Sequence, residues 1–96
     1  MDGFHYVPLG CAQLTTTLAS AVALPSIPAM ADTVLLQAET QNVRFRDDGT
    51  DPTTSVGMVL AAGAVPFMYI GALSKMKLIA ATSGAILNIA YYKLVG

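Results

Sequence analysis

The sequence predicts an all-β protein, and three observations carry that expectation. Short runs rich in Val, Ile, Leu, Thr and aromatic residues recur along the chain. Clusters of Gly, Pro, Asp or Ser divide them at intervals of roughly ten residues, the spacing of antiparallel strands and their turns. One run, Val43-Arg44-Phe45-Arg46, alternates apolar and charged side chains with the period of two that a half-buried strand requires. Together they predict a single compact antiparallel β-sandwich, or barrel-like sandwich, of about eight short strands with a Greek-key crossing. It would span residues 1–96 as one domain, because two independent cores do not fit in a chain of this length.

In chain order, strands are predicted over residues 3–7, 13–19, 33–39, 42–46, 57–61, 67–70, 75–80 and 85–93. The alanines and leucines between positions 12 and 24 would suit a helix, but the β-branched run Thr15-Thr16-Thr17 favours a strand. Pro25 and Pro28 remove ladder donors and fix an extended path, so residues 24–29 read as a loop crossing between sheets. In the 42–46 strand, Val43 and Phe45 share the core face while Arg44 and Arg46 share the exposed one. Three turns, Asp48-Gly49, Ala62-Gly63 and Ser83-Gly84, offer a glycine for positive φ, and each is expected to bring in an antiparallel neighbour. In the last strand Leu87, Ile89 and Tyr91 face one way and Ile86, Asn88, Ala90 and Tyr92 the other. Two such apolar faces predict cover on both sides.

Composition narrows the function classes. Hydrophobic residues are 54% of the chain and charged residues only 11%, so the surface must be poor in charge. Such a surface is either immersed in lipid or covered by other protein. The uncharged stretches 9–31, 56–73 and 78–92 are broken by prolines, glycines or polar residues, or are too short to span as helices, so no membrane role is expected. Asp2 is the single charged residue of positions 1–9, which gives no export signal of the basic, then apolar kind. A net charge of −1 from five scattered cations leaves no footprint for nucleic acid.

Little in the chain suggests chemistry. His5 is the lone histidine and lies far from any acid but Asp2, so no base, nucleophile and orienting group can be assembled. Cys11 cannot form an intrachain disulfide and reads as a small apolar residue of a β-protein. The acids Asp47, Asp48 and Asp51 converge in one loop, yet their spacing is wrong for a calcium loop of the helix-loop-helix type. Turn chemistry accounts for them: aspartates cap amides, Gly49 supplies positive φ, and Pro52 enforces the exit. No metal, cofactor or catalytic group is expected. Arg44 and Arg46, the only arginines, can pair with Asp47 and Asp48 or with a neighbouring subunit, and these four residues form the candidate subunit interface. Tyr6, Tyr69, Tyr91 and Tyr92, with Phe4, Phe45 and Phe67, are assigned to core packing in preference to a stacking platform.

Residues 37–58, with Val43-Arg44-Phe45-Arg46-Asp47-Asp48-Gly49-Thr50 at their centre, resemble a family of small virion structural proteins of tailed bacteriophages. Residues 67–79 and 84–92 resemble that family's closing strands, so the likeness covers about residues 33–93. Phe45 stands where tryptophan is common in the family, and residues 1–31 form a variable part to which no function is carried. The resemblance implies a capsid decoration or cement protein, made in the host cytoplasm and placed on the virion, with the capsid surface as its expected location. The implied partners are copies of itself, as a homo-oligomer such as a trimer, and the major capsid protein or another virion structural protein. Two further roles are consistent with it: a neck, tail or fibre-base protein, and, in a different class, a receptor- or glycan-binding module.

Overall fold

A computed structural model describes residues 5–95. Eight strands form: β1 His5–Leu14, β2 Val22–Ala23, β3 Thr33–Glu39, β4 Val43–Arg46, β5 Met58–Leu60, β6 Phe67–Ile70, β7 Lys77–Ala80 and β8 Ile86–Val95. They assemble into two four-stranded antiparallel sheets, ordered β1-β8-β3-β6 and β2-β7-β4-β5. The fold is the all-β sandwich that the sequence rhythm predicts.

Period-two alternation builds the core. Val34, Leu36 and Ala38 of β3 face inward beside Leu87, Ile89 and Tyr91 of β8, and they meet Val43, Phe45, Leu78 and Ala80 of the opposite sheet. Removing these side chains from water drives the two sheets together, at roughly 25 cal/mol per Å2 of apolar surface. Arg44 and Arg46, of opposite parity, stay on the outer face.

The chain changes sheet at every connection but one. Only β4 and β5 are consecutive strands of the same sheet, so residues 43–60 form the single β-hairpin among the described residues. The proline-rich 24–29 segment does cross between sheets, as its missing donors predict. Ala62-Gly63 and Ser83-Gly84 do not close hairpins, contrary to expectation. Both glycines adopt positive φ, +78 and +94, but the first turn leads from β5 to β6 and the second from β7 to β8, in the other sheet. Corner hydrogen bonds fix these crossings. Gly63 N–H donates to Ala38 O (3.0 Å), Ala81 N–H to Asn42 O (2.9 Å), Ala62 N–H to Asn42 Oδ1 (2.8 Å), and Thr40 Oγ1 to Gly84 O (2.5 Å).

The N-terminal third departs most from prediction. Positions 3 and 4 of the first predicted strand, and Phe4 with them, lie outside the described residues. From His5 onward that strand runs on to Leu14 and absorbs the start of the predicted 13–19 strand. Thr16–Ala19 is instead a 3-10 turn, closed by Leu18 N–H donating to Thr15 O at 3.1 Å. Burial explains the change. A strand would put Leu14, Thr16 and Leu18 on one face, whereas the turn buries Leu14 and Leu18 and leaves Thr16 in solvent. Val22–Ala23, too short to leave a sequence signal, pairs with Leu78 and Lys77. β7 starts at Lys77 because Leu73–Lys75 form another 3-10 turn.

The outer face of β8 is half-buried rather than covered. Asn88 joins a polar ladder there, with Gln13 donating to its Oδ1 (2.9 Å) and its own amide donating to Glu39 Oε2 (2.5 Å). Cys11 is exposed on the outer side of β1 rather than packed. Of the tyrosines, only Tyr91 is buried; Tyr6 and Tyr92 meet edge-on on the outer face, with centroids 6.2 Å apart.

Candidate functional site

The β4–β5 hairpin holds every residue singled out as a site. A strand of four residues positions Arg44 and Arg46, and residues 47–57 return the chain to β5. Arg44 spans this loop from the outside: Nε donates to Thr54 O (3.1 Å) and Nη1 to Gly57 O (2.8 Å). Arg46 forks onto Asp48, with Nε donating to Oδ1 (3.2 Å) and Nη2 to Oδ2 (2.5 Å). Both guanidinium groups therefore serve their own hairpin.

Each acid of the loop also has a partner. Asp48 Oδ1 accepts the Thr50 N–H (3.2 Å), which closes the turn that Gly49 completes at φ +85. Asp47 Oδ2 accepts the Tyr69 hydroxyl (2.6 Å), a bond that reaches from the hairpin to β6 of the other sheet. Asp51 lies 3.9 Å from Lys77 Nζ, an exposed pair of small energetic weight. Pro52 is buried, and the next residues fold on themselves, Thr53 and Val56 exchanging backbone bonds of 2.9 and 3.3 Å.

Electrostatics follow this pairing. The Arg46 fork, with the Thr50 amide, holds the Asp48 carboxyl below its ordinary value, and Asp48 in turn raises Arg46. The bond to Asp47 raises Tyr69, because a phenol that donates to a carboxylate gives up its proton reluctantly. A shallow depression of about 440 Å3 lies beside the loop, lined by Phe45, Arg46, Asp47, Asp48, Val56, Gly57 and Met58. Its carboxylates point at separate partners instead of at a common centre. Among the described residues no group of three or more His, Cys, Asp or Glu side chains could hold a metal ion. The hairpin's charged groups are thus all paired, Arg44, Arg46 and Asp48 within the hairpin and Asp47 and Asp51 with Tyr69 and Lys77 of other strands.

Two features escaped the sequence. Asp32 is a joint: its Oδ1 accepts the Leu94 N–H and the Thr33 hydroxyl, both at 2.9 Å, while its backbone O accepts the Gly71 N–H (3.2 Å). One residue so ties β3, β6 and β8 at one end of their sheet, and the two donors hold its carboxyl below the ordinary range. The second feature is the exposed apolar surface along β5 and β6, where Met58, Val59, Val65, Phe67, Met68 and Ile70 stand in solvent. Its signal was present in the absence of charge from position 53 to 74.

No family model matches the chain, and no curated protein or solved structure matches it significantly. No helix among the described residues is long and apolar enough to cross a membrane.

Proposed function

We propose that this chain is a structural protein of a bacteriophage virion, acting as a capsid decoration protein that stiffens the shell through contacts with neighbouring subunits. The observation that supports the reading is a division of labour on the surface. The charged hairpin groups are engaged within the chain, Arg46 with Asp48, Arg44 with loop carbonyls and Asp47 with Tyr69, while Val56, Met58, Val59, Val65, Phe67, Met68 and Ile70 are left in solvent. A protein that works in isolation keeps its apolar residues inside and its charges outside. One that works by being packed among neighbours also leaves apolar side chains on the surface for those neighbours to cover, and many modest contacts repeated by symmetry make a shell resistant to pressure. The resemblance of residues 37–58 to small virion proteins points the same way.

Copy number tests this. Densitometry of purified virions against the major capsid protein is expected to give on the order of hundreds of copies, as shell symmetry requires of a decoration protein. About a dozen or fewer would assign the chain to the neck, tail or fibre base, since those assemblies carry low-order rotational symmetry. Absence from purified particles would end the virion reading.

A further inference from the structure

The two lateral sides of the sandwich differ. On one side the edges are β1 and β2, and both are guarded: Pro8 and a register shift between Pro8 and Gly10 interrupt β1, and β2 has only two residues. Proline, bulges and very short strands are the usual means of stopping an edge from recruiting another strand. On the other side the edges are β6 and β5, one in each sheet; both are short, of four and three residues, but neither strand contains a proline, a register shift or a charge. No lysine, arginine or acid occurs from position 53 to 74, and no backbone group of Met58–Leu60 or Phe67–Ile70 bonds outward among the described residues.

The two bare edges form one wall. Phe67 of β6 packs on Phe45 of β4 with centroids 5.6 Å apart, and a cleft of about 240 Å3 between the edges has Leu36 and Ala38 among its lining. Along and beside the wall, Val65 is 86% exposed, Met58 67% and Ile70 53%, with Val59, Phe67 and Met68 exposed by 40% or more. By strand parity Met68 and Ile70 lie on the outer face of their sheet and Val59, opposite Arg44, on the outer face of the other, so the apolar surface wraps round this side of the sandwich from both faces.

We infer that this wall is the docking surface for a second copy of the same chain, with β6 pairing antiparallel to β6 and β5 to β5 about a two-fold axis normal to the sheets. Two properties select this occupant. A partner must offer two strand edges stacked at the spacing of packed sheets, about 10 Å, and the same wall on another copy has that spacing by construction. The wall is neutral, so it meets itself without like charges facing each other. The product is a sandwich of two continuous eight-stranded sheets, isologous and closed, with only guarded edges at its ends. The inference does not rest on the virion reading.

Sedimentation equilibrium of the purified chain between about 10 μM and 1 mM, a span that detects dissociation constants typical of small interfaces, tests it. The expected mass approaches twice the 10.0 kDa of one chain. A monomer throughout, a trimer or open-ended aggregation would overturn the proposal. Val59→Lys, at the middle of β5, and Ile70→Lys, at the end of β6, are expected to weaken the dimer at least about tenfold by placing a strongly hydrated charge on each otherwise uncharged edge, with an unchanged circular dichroism spectrum. Arg46→Ala is expected to leave it intact. Loss of the dimer in Arg46→Ala, with both lysine variants still dimeric, would move the interface to the hairpin and sink the edge-pairing model. None of these outcomes alters the virion copy number, so the two readings fail separately.

Discussion

Tyr91 shows how much one side chain does here. It is 2% exposed, yet its hydroxyl finds an acceptor in Pro25 O at 2.5 Å, so the crossing loop is fastened to β8 through the core. Burial disfavours the phenolate and pushes the group from the ordinary 10.0 up to about 12. The folded chain therefore holds this proton in a range where the unfolded chain has lost it. The stabilisation is complete below pH 10 and is lost as pH rises from there toward about 12. Tyr91→Phe is expected to fold, to lose about 1 kcal/mol near neutrality because the half-buried Pro25 carbonyl is left without its donor, and to unfold less steeply in alkali. Urea titrations at pH 8 and above 10 measure both effects. Gly57 is the backbone counterpart. At φ +138 a side chain is strained, and an added Cβ would come within 3.1 Å of Phe45 O and 3.2 Å of Arg44 Cβ. Gly57→Ala should cost about 1–3 kcal/mol, seen as a lower urea midpoint with an unchanged slope; an unaffected midpoint would mean the loop relaxes freely.

As an element, the β4–β5 hairpin was the most legible part of the chain. Its alternation placed Val43 and Phe45 inside, and its Asp48-Gly49 turn has the positive φ that the dipeptide suggests. What stayed hidden was the use of its polar groups, since Tyr69 and Lys77 reach Asp47 and Asp51 from strands remote in sequence. Such partners depend on which strands become neighbours, and local pattern does not encode that. Arg44 works by gathering the loop carbonyls of Thr54 and Gly57, so Arg44→Ala should loosen residues 53–57 by about 1 kcal/mol, read as faster amide exchange of Val56. The Asp48 carboxyl, held below its ordinary 3.8, gives a pH signature. Its contribution is present above that value and fades as pH falls through the lower folded value. Asp48→Asn should therefore shallow the acid limb of stability below about pH 4, with Asp32 sustaining the remainder.

The whole molecule was legible in class and strand rhythm, but not in connectivity. Three glycine turns look alike in sequence, yet only the first closes a hairpin; the others are corners, distinguished by bonds such as Gly63 N–H to Ala38 O that link remote segments. The N-terminal part misled for a related reason. In place of separate strands over 3–7 and 13–19 it supplies one long β1, whose pairing with β8 runs from His5 opposite Val95 to Leu14 opposite Leu87. This places the outermost strand of one sheet against the longest strand of the core. Deleting residues 5–14 would remove Leu14 from the core and bare the full length of β8, Ile86–Val95, on which Leu87, Ile89 and Tyr91 carry much of the buried surface. A long apolar strand newly exposed at an edge recruits other chains faster than it refolds. The truncated chain should therefore lose its cooperative thermal transition and move into the insoluble fraction. A chain that lacks residues 5–14 yet melts cooperatively would show that β8 and β3 suffice, and that β1 only guards an edge already stable without it.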